Sequence, residues 1–136
     1  MDQLDGARVL LVDDSAVERK QLAKQLDVAG AEVTSVGTAE AALAALTAST
    51  FDVLVSDLRL PDGDGYTLIR SVRASGGQNK GIAAIAITGH ADDESRKNAL
   101  AAGFDDFLPK LVSALLVPTV ARLRAPRRGA RPDAPG

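Results

Sequence analysis

Five short apolar runs recur along the chain: "RVLLV" at 8–12, "AEVTSV" at 31–36, "FDVLV" at 51–55, "IAAIAIT" at 82–88 and "DFLP" at 106–109. Each has the length of a strand. The stretches between them carry helical period instead. Residues 15–29 open with Ser15-x-x-Glu18, a pattern in which each side chain satisfies an otherwise unpaired backbone N–H, and continue with Leu22, Leu26 and Ala29 on one side. In "TAEAALAALTAS", Ala39, Ala42, Leu43 and Leu46 fall at i, i+3, i+4 and i+7, one face of a helix. Residues 65–75 offer Leu68, Ile69 and Val72; residues 92–102 are polar until Leu100; residues 112–124 offer Val112, Leu115, Leu116, Val120 and Leu123. Strict alternation of this kind implies an α/β domain with parallel strands joined by right-handed crossovers.

Strands buried on both faces read as continuous apolar runs, which describes the first, third and fourth. The second carries Glu32, Thr34 and Ser35, and the fifth is brief and flanked by Asp105 and Asp106, so both are expected at the edges. The expected architecture is a doubly wound, five-stranded parallel sheet of order 2-1-3-4-5 with five helices. In that order ligands bind at the C-terminal strand ends where the winding reverses, between strands one and three. This places the site after Val12 and around Asp57.

Composition narrows the chemistry. The chain of 136 residues, 46% hydrophobic, fits one compact domain, and with no cysteine it has neither a disulfide framework nor a thiolate site. No apolar run approaches the length that spans a bilayer, and "MDQLDGARVL" lacks a basic-then-apolar targeting pattern, so a cytoplasmic protein is the simplest reading. The net charge of -2 points to neither a nucleic-acid binder nor an acidic solvating chain. Residues 124–136, "RAPRRGARPDAPG", carry +3 and leave -5 for the rest. Rich in Pro, Gly and Arg, residues 125–136 are expected to be a flexible basic tail or linker.

The first apolar run ends in Asp13 and Asp14, and the third leads to Asp57. The sheet order brings these acids into one crevice, where like charges repel unless a cation compensates them. Oxygen ligands without His or Cys favour Mg²⁺ together with phosphate oxygens. Thr88 ends the fourth strand and Lys110 follows the fifth, so a hydroxyl and an ammonium could hold phosphoryl oxygens. Taken singly, a strand-end Asp is often a turn former, a Thr a backbone cap and a Lys a solvated side chain. It is their joint placement at four strand ends that points to a site.

Through "LLVDDS", "VLVSDLRLPDGDG", "AITGHA" and "AAGFDDFLPK", residues 7–124 resemble the receiver domain of two-component response regulators. The strand order 2-1-3-4-5 is the one found in flavodoxin-like folds, to which receivers belong. The resemblance implies that Asp57 accepts a phosphoryl group from phosphohistidine on a sensor histidine kinase or a histidine phosphotransfer protein. It implies Mg²⁺ bound by Asp14, Asp57 and the backbone carbonyl of Arg59, with Asp13 acting mostly through water. Lys110 and Thr88 would hold the phosphoryl group, and Phe107 matches the aromatic position that rotates inward. Arg59 and His90 stand where the phosphoryl lifetime is tuned. Output to a downstream protein target, or a phosphorylation-dependent homodimer, would use the face of helix four, strand five and helix five.

The sequence departs from the family in two places. Leu111 follows Lys110 where the family has Pro with a cis bond, so that bond is expected either to be trans with a reshaped loop or to carry the cost of a non-proline cis bond. Pro118 inside the last helical pattern is expected to kink the helix or mark a late start. "DGDG" at 62–65 invites comparison with a calcium loop but lacks the downstream Glu, and is read as a turn and helix start. His90, the one histidine, is read as an exposed rim residue rather than a phosphodonor.

Two architectures fit: a stand-alone regulator, or the receiver of a hybrid sensor kinase. Two other functions compete with the phosphoacceptor reading. One is an unphosphorylated adaptor acting by protein contact alone. The other is a phosphohydrolase using an aspartyl phosphate, which would usually carry a second Asp where Arg59 stands. With no second domain after the receiver, no turnover of an external substrate is expected, and no nucleic-acid partner or membrane insertion.

Overall fold

A computed structural model of the chain describes residues 3–75 and 77–129. Its main sheet consists of β1 (Arg8–Val12), β2 (Glu32–Val36), β3 (Val53–Asp57), β4 (Ala83–Thr88) and β5 (Asp106–Pro109). All neighbours pair in parallel, in the order 2-1-3-4-5 expected from the sequence. Central strands β1, β3 and β4 are buried almost throughout, whereas β2 is half exposed, as an edge strand should be. A two-residue hairpin, Arg59–Leu60 against Gly63–Asp64, projects beyond β3.

Alternation along each strand sends successive side chains to opposite faces, and each face builds its own core. Leu10, Val12, Leu54 and Ala84 pack with Ala42 and Leu46 of α2 (Ala39–Ala48), Leu68, Ile69 and Val72 of α3 (Gly65–Ala74), and Ala99 of α4 (Asp93–Ala102). Val9, Leu11, Val53, Val55 and Ile85 pack with Leu22 and Leu26 of α1 (Ala16–Val28) and Leu116 and Val120 of α5 (Leu116–Gly129). The first four helices each start on a side-chain oxygen that accepts a backbone N–H: Ser15, Thr38, Asp64 and Asp92. These caps satisfy donors that a helix start leaves unpaired.

Several expectations are corrected or completed by the structure. Leu43, on the expected buried face of α2, is 37% exposed; Ala42 and Leu46 are buried, and Ala39 and Ala45 pack against the core beside them. The last helix is preceded by a 3-10 segment over Lys110–Leu115, and Leu115 is half exposed. Pro118 is the third residue of α5, where its missing N–H has no acceptor within the helix in any case, so it marks a late start. No cis peptide bond occurs among the described residues, and the bond after Lys110 is trans. α5 runs to Gly129, five residues into the stretch expected as a tail. The side chain of Val112 and residues 130–136 lie outside the described residues.

Candidate functional site

Register decides which side chains meet. Val12 pairs with Ser56, so Asp13 and Asp57 follow side by side at the C-terminal edge; Asp57 pairs with Ile87, one residue before Thr88; Thr88 pairs with Pro109, one residue before Lys110. The carboxylates of Asp13, Asp14 and Asp57 each offer an oxygen within 4.8 Å of the others. Asp13 is fully buried and Asp57 nearly so, while Asp14 is exposed. Asp14, Glu18, Asp57, Arg59, Thr88, Gly89, His90 and Lys110 line one shallow cleft over them.

Lys110 is the cation that the acids of this cleft hold. Its Nζ donates to Asp57 Oδ2 at 2.8 Å and to Glu18, and it lies 2.9 Å from Asp13 Oδ2. That last approach is an ion pair with poor hydrogen-bond angles, so Asp13 Oδ2 is buried with no hydrogen bond. Burial pushes the Asp13 carboxyl above its ordinary value, with the Asp57 charge adding to the rise; Lys110 and the Ser15 N–H offset this only in part. Burial alone would lower the Lys110 pKa, but the hydrogen bonds to Asp57 and Glu18 and the ion pair with Asp13 together outweigh it, and the ammonium is held well above its usual range. Every donor atom facing the cleft from the three acids is a carboxylate oxygen, and one of them is buried and unsatisfied. That donor set fits a hard divalent cation such as Mg²⁺.

The loops around the acids are fixed by backbone hydrogen bonds. Asp57 Oδ1 accepts the Arg59 N–H at 3.1 Å, which folds the chain back after β3. Gly65 passes so close that a Cβ there would stand 2.5 Å from the Asp57 carbonyl oxygen. Asp62, in the hairpin turn, accepts the N–H groups of Ala39 and Glu40, both at 2.9 Å, and so ties that loop to the start of α2. Arg19 donates to the Asp13 carbonyl at 2.7 Å. Thr88 Oγ1 accepts the His90 N–H at 3.1 Å, leaving its own proton for another acceptor. His90 is exposed at the rim and lies 3.8 Å from Asp92, and Phe107 is buried in the core beneath.

The matching family model, that of the response regulator receiver domain, covers residues 9–118. The chain belongs to this family. A relative from Leptolyngbya boryana, an uncharacterized 14.6 kDa protein, is 38% identical over 115 residues, which are 85% of this chain and 87% of that protein. The C4-dicarboxylate transport transcriptional regulatory protein DctD of Rhizobium meliloti (strain 1021) is 35% identical over 88% of this chain, which spans only 26% of that regulator. Among solved structures, the receiver domain of the sensor histidine kinase PA1611 from Pseudomonas aeruginosa PAO1 has a magnesium ion coordinated in its active site cleft. It superposes with a TM-score of 0.81 at 30% identity, over 88% of this chain and 98% of that one. The protein is thus a two-component receiver domain with an acidic pocket, similar to receivers of both regulators and sensor kinases. No described helix is long and apolar enough to cross a membrane.

Asp13, Asp14, Asp57, Arg59, Thr88, Lys110 and His90 therefore meet at one edge of the receiver sheet, with Phe107 packed below. Sequence reasoning misses Glu18, Asp62 and Arg19. Local pattern assigns Glu18 to a reciprocal cap, of which one half forms: Ser15 Oγ accepts the Glu18 N–H at 3.3 Å. The other half cannot, because the Ser15 N–H donates to Asp13 Oδ1 at 3.0 Å. Glu18 is released toward Lys110 instead. The available signal is position: Glu18 lies in the first helical turn after Asp14, above the same crevice.

Proposed function

We propose that this receiver takes a phosphoryl group from phosphohistidine onto Asp57 and thereby switches its binding to another protein. The observation that carries the reading is the Asp57 carboxylate, held at 2.8 Å by Lys110 and grouped with Asp13 and Asp14 under an open cleft. In the transfer, an Asp57 oxygen forms the new bond to phosphorus, the phosphorus–nitrogen bond to the donor imidazole breaks, and the imidazole leaves with a proton. Mg²⁺, held by Asp14, Asp57 and the Arg59 carbonyl with Asp13 behind, would neutralise the negative charge that gathers at phosphorus. Lys110 supplies the second positive charge, in the positioning and electrostatic role that phosphoryl transfer asks of a protein.

After transfer, the free proton of Thr88 is available to a phosphoryl oxygen, and its movement would draw the following loop inward. Phe107, already buried, is the inward partner of that movement. Arg59 and His90 at the cleft rim would set how long the phosphoryl group survives. The readout face is that of α4, β5 and α5, where Leu100 is 41% exposed and Asp106 pairs with Arg122 at 2.5 Å. Its ligand would be a downstream protein or a second phosphorylated copy, and the upstream partner a sensor histidine kinase or phosphotransfer protein. Residues 7–124 would form the receiver, with α5 carried on to Gly129, and the basic residues beyond 124 would serve as a tail or linker, in a cytoplasmic signalling protein that assists its own phosphorylation and dephosphorylation without turning over an external substrate.

Intact-protein mass after incubation with Mg²⁺ and acetyl phosphate tests the reading. A single phosphoryl adduct is expected on the wild type, and none on Asp57→Asn or on metal-stripped protein. Absence of the adduct, together with absence of a beryllofluoride complex, would leave an adaptor that acts unphosphorylated.

A further inference from the structure

Lys110 Nζ has three protons and three carboxylate neighbours: Asp57, Asp13 and Glu18. The three neighbours differ in freedom. Asp13 and Asp57 are buried at the ends of paired central strands and cannot withdraw without moving the sheet. Glu18 is reached from the first turn of α1 through a side chain that is 49% exposed. It is also released from the cap it would otherwise make, since Asp13 occupies the Ser15 N–H. Glu18 is thus the one partner of Lys110 that can leave.

We propose that Glu18 is a positioning residue that competes with the phosphoryl group for Lys110, so that its release sets how readily the switch engages. The inference rests on Asp57 being the phosphoacceptor. A phosphoryl group on Asp57 brings new anionic oxygens to the same ammonium, and a proton of Nζ becomes available to them when Glu18 swings toward solvent. The contact is half exposed, so its strength is modest and its removal should act by small factors.

Two substitutions separate contact from field. Glu18→Gln removes the charge. Glu18→Asp keeps the charge and shortens the side chain by one methylene, which withdraws the carboxylate from Lys110. The readouts are the affinity for beryllofluoride, a phosphoryl mimic, in the presence of Mg²⁺, and the rate of adduct formation with acetyl phosphate. A metal-free readout is the ammonium resonance of Lys110 in ¹⁵N-lysine-labelled protein. Both variants are expected to raise affinity and rate about two- to fivefold and to shift the Lys110 resonance. A rise with Glu18→Gln alone would mean a general field effect and overturn the proposal. A fall with both would mean that Glu18 orients Lys110 for the reaction, and no change in either would mean that it does neither; each result overturns it as well. If the wild type itself forms neither adduct nor beryllofluoride complex, the phosphoacceptor reading fails first; normal wild-type phosphorylation with unaltered Glu18 variants removes only the competition.

Discussion

At the N-terminal edge of the sheet, Asp52 accepts the Arg8 N–H and Asp105 the Ala84 N–H, both at 2.8 Å. At the C-terminal edge, Asp13 and Asp57 also stand beside strand ends, but they share Lys110 and leave a buried oxygen without a hydrogen bond. The residue type is the same and the position is mirror-like, yet the first pair closes the open end of a parallel sheet and the second leaves charge to be compensated. A carboxylate satisfied by backbone N–H groups has little left to offer a ligand. One that is desolvated and under-partnered favours any cation that reaches it. The comparison locates function at the unsatisfied edge without appeal to residue type.

The sharpest way to break this contrast is at the satisfied edge. Arg73 donates to the carbonyls of Gly103, Lys80 and Ile82 and to Asp105, tying α3 to the turn that leads into β4 and to the turn between α4 and β5. Arg73→Ala should cost about 3 kcal/mol in chemical denaturation, because partly buried carbonyls lose their donors. Arg73→Lys should recover only a minor part, since an ammonium cannot reproduce the planar fork. A loss under about 1 kcal/mol would show that this edge is not held by its polar network.

Next in size is Gly65→Ala at the other edge. The new Cβ would meet the Asp57 carbonyl at 2.5 Å and the Leu58 Cα at 3.1 Å, both backbone atoms that cannot swing aside. A destabilisation of about 2 kcal/mol is expected, accompanied by slower adduct formation at Asp57 in the folded fraction. Stability lost with no change in the rate per folded molecule would separate the packing of this turn from the chemistry beside it.

The third test reverses sign. Asp13 has a pKa raised by burial, so its ionised form is less favoured in the folded chain than in the unfolded one, and at neutral pH it opposes folding. Metal-free Asp13→Asn should therefore be more stable than wild type by roughly 1 kcal/mol, while its Mg²⁺ affinity falls. The gain should shrink as pH drops through the raised folded pKa, where wild-type Asp13 takes up its own proton. Loss of stability on this substitution at neutral pH would mean that the Lys110 pair outweighs the desolvation.

The strands are legible in the sequence because burial on both faces admits little but apolar residues: β1 and β5 coincide with their apolar runs, and the others fall within two residues of theirs. The acids, Thr88 and Lys110 are legible for a related reason, since polar residues directly after buried strands stand out. What is not legible depends on contacts between distant elements. Glu18 and Lys110 are separated by 92 positions, and Asp62 and Ala39 by 23, and local pattern assigns Glu18 to a cap and Asp62 to a turn. Leu43 shows the same limit on packing, because helical period identifies a face but not how far the sheet covers it.

Asp62 gives the smallest effect and places one backbone-satisfied carboxylate at the functional edge itself. Hydrogen bonds from the Ala39 and Glu40 N–H groups lower its pKa below the ordinary 3.8. A folded pKa below the unfolded one means stability that is present above about the unfolded value and lost as pH falls through the folded pKa. Asp62→Asn should thus be slightly less stable than wild type at neutral pH, with the gap closing only below pH 3.8. Because Asp62 also ties the hairpin after Asp57 to α2, the variant should loosen that loop, seen as faster amide hydrogen exchange at Ala39 and Glu40. If the stability gap persists unchanged into strong acid, the bond is one of shape rather than charge, and the carboxylate at this edge is then no different in kind from Asp52 and Asp105 at the other.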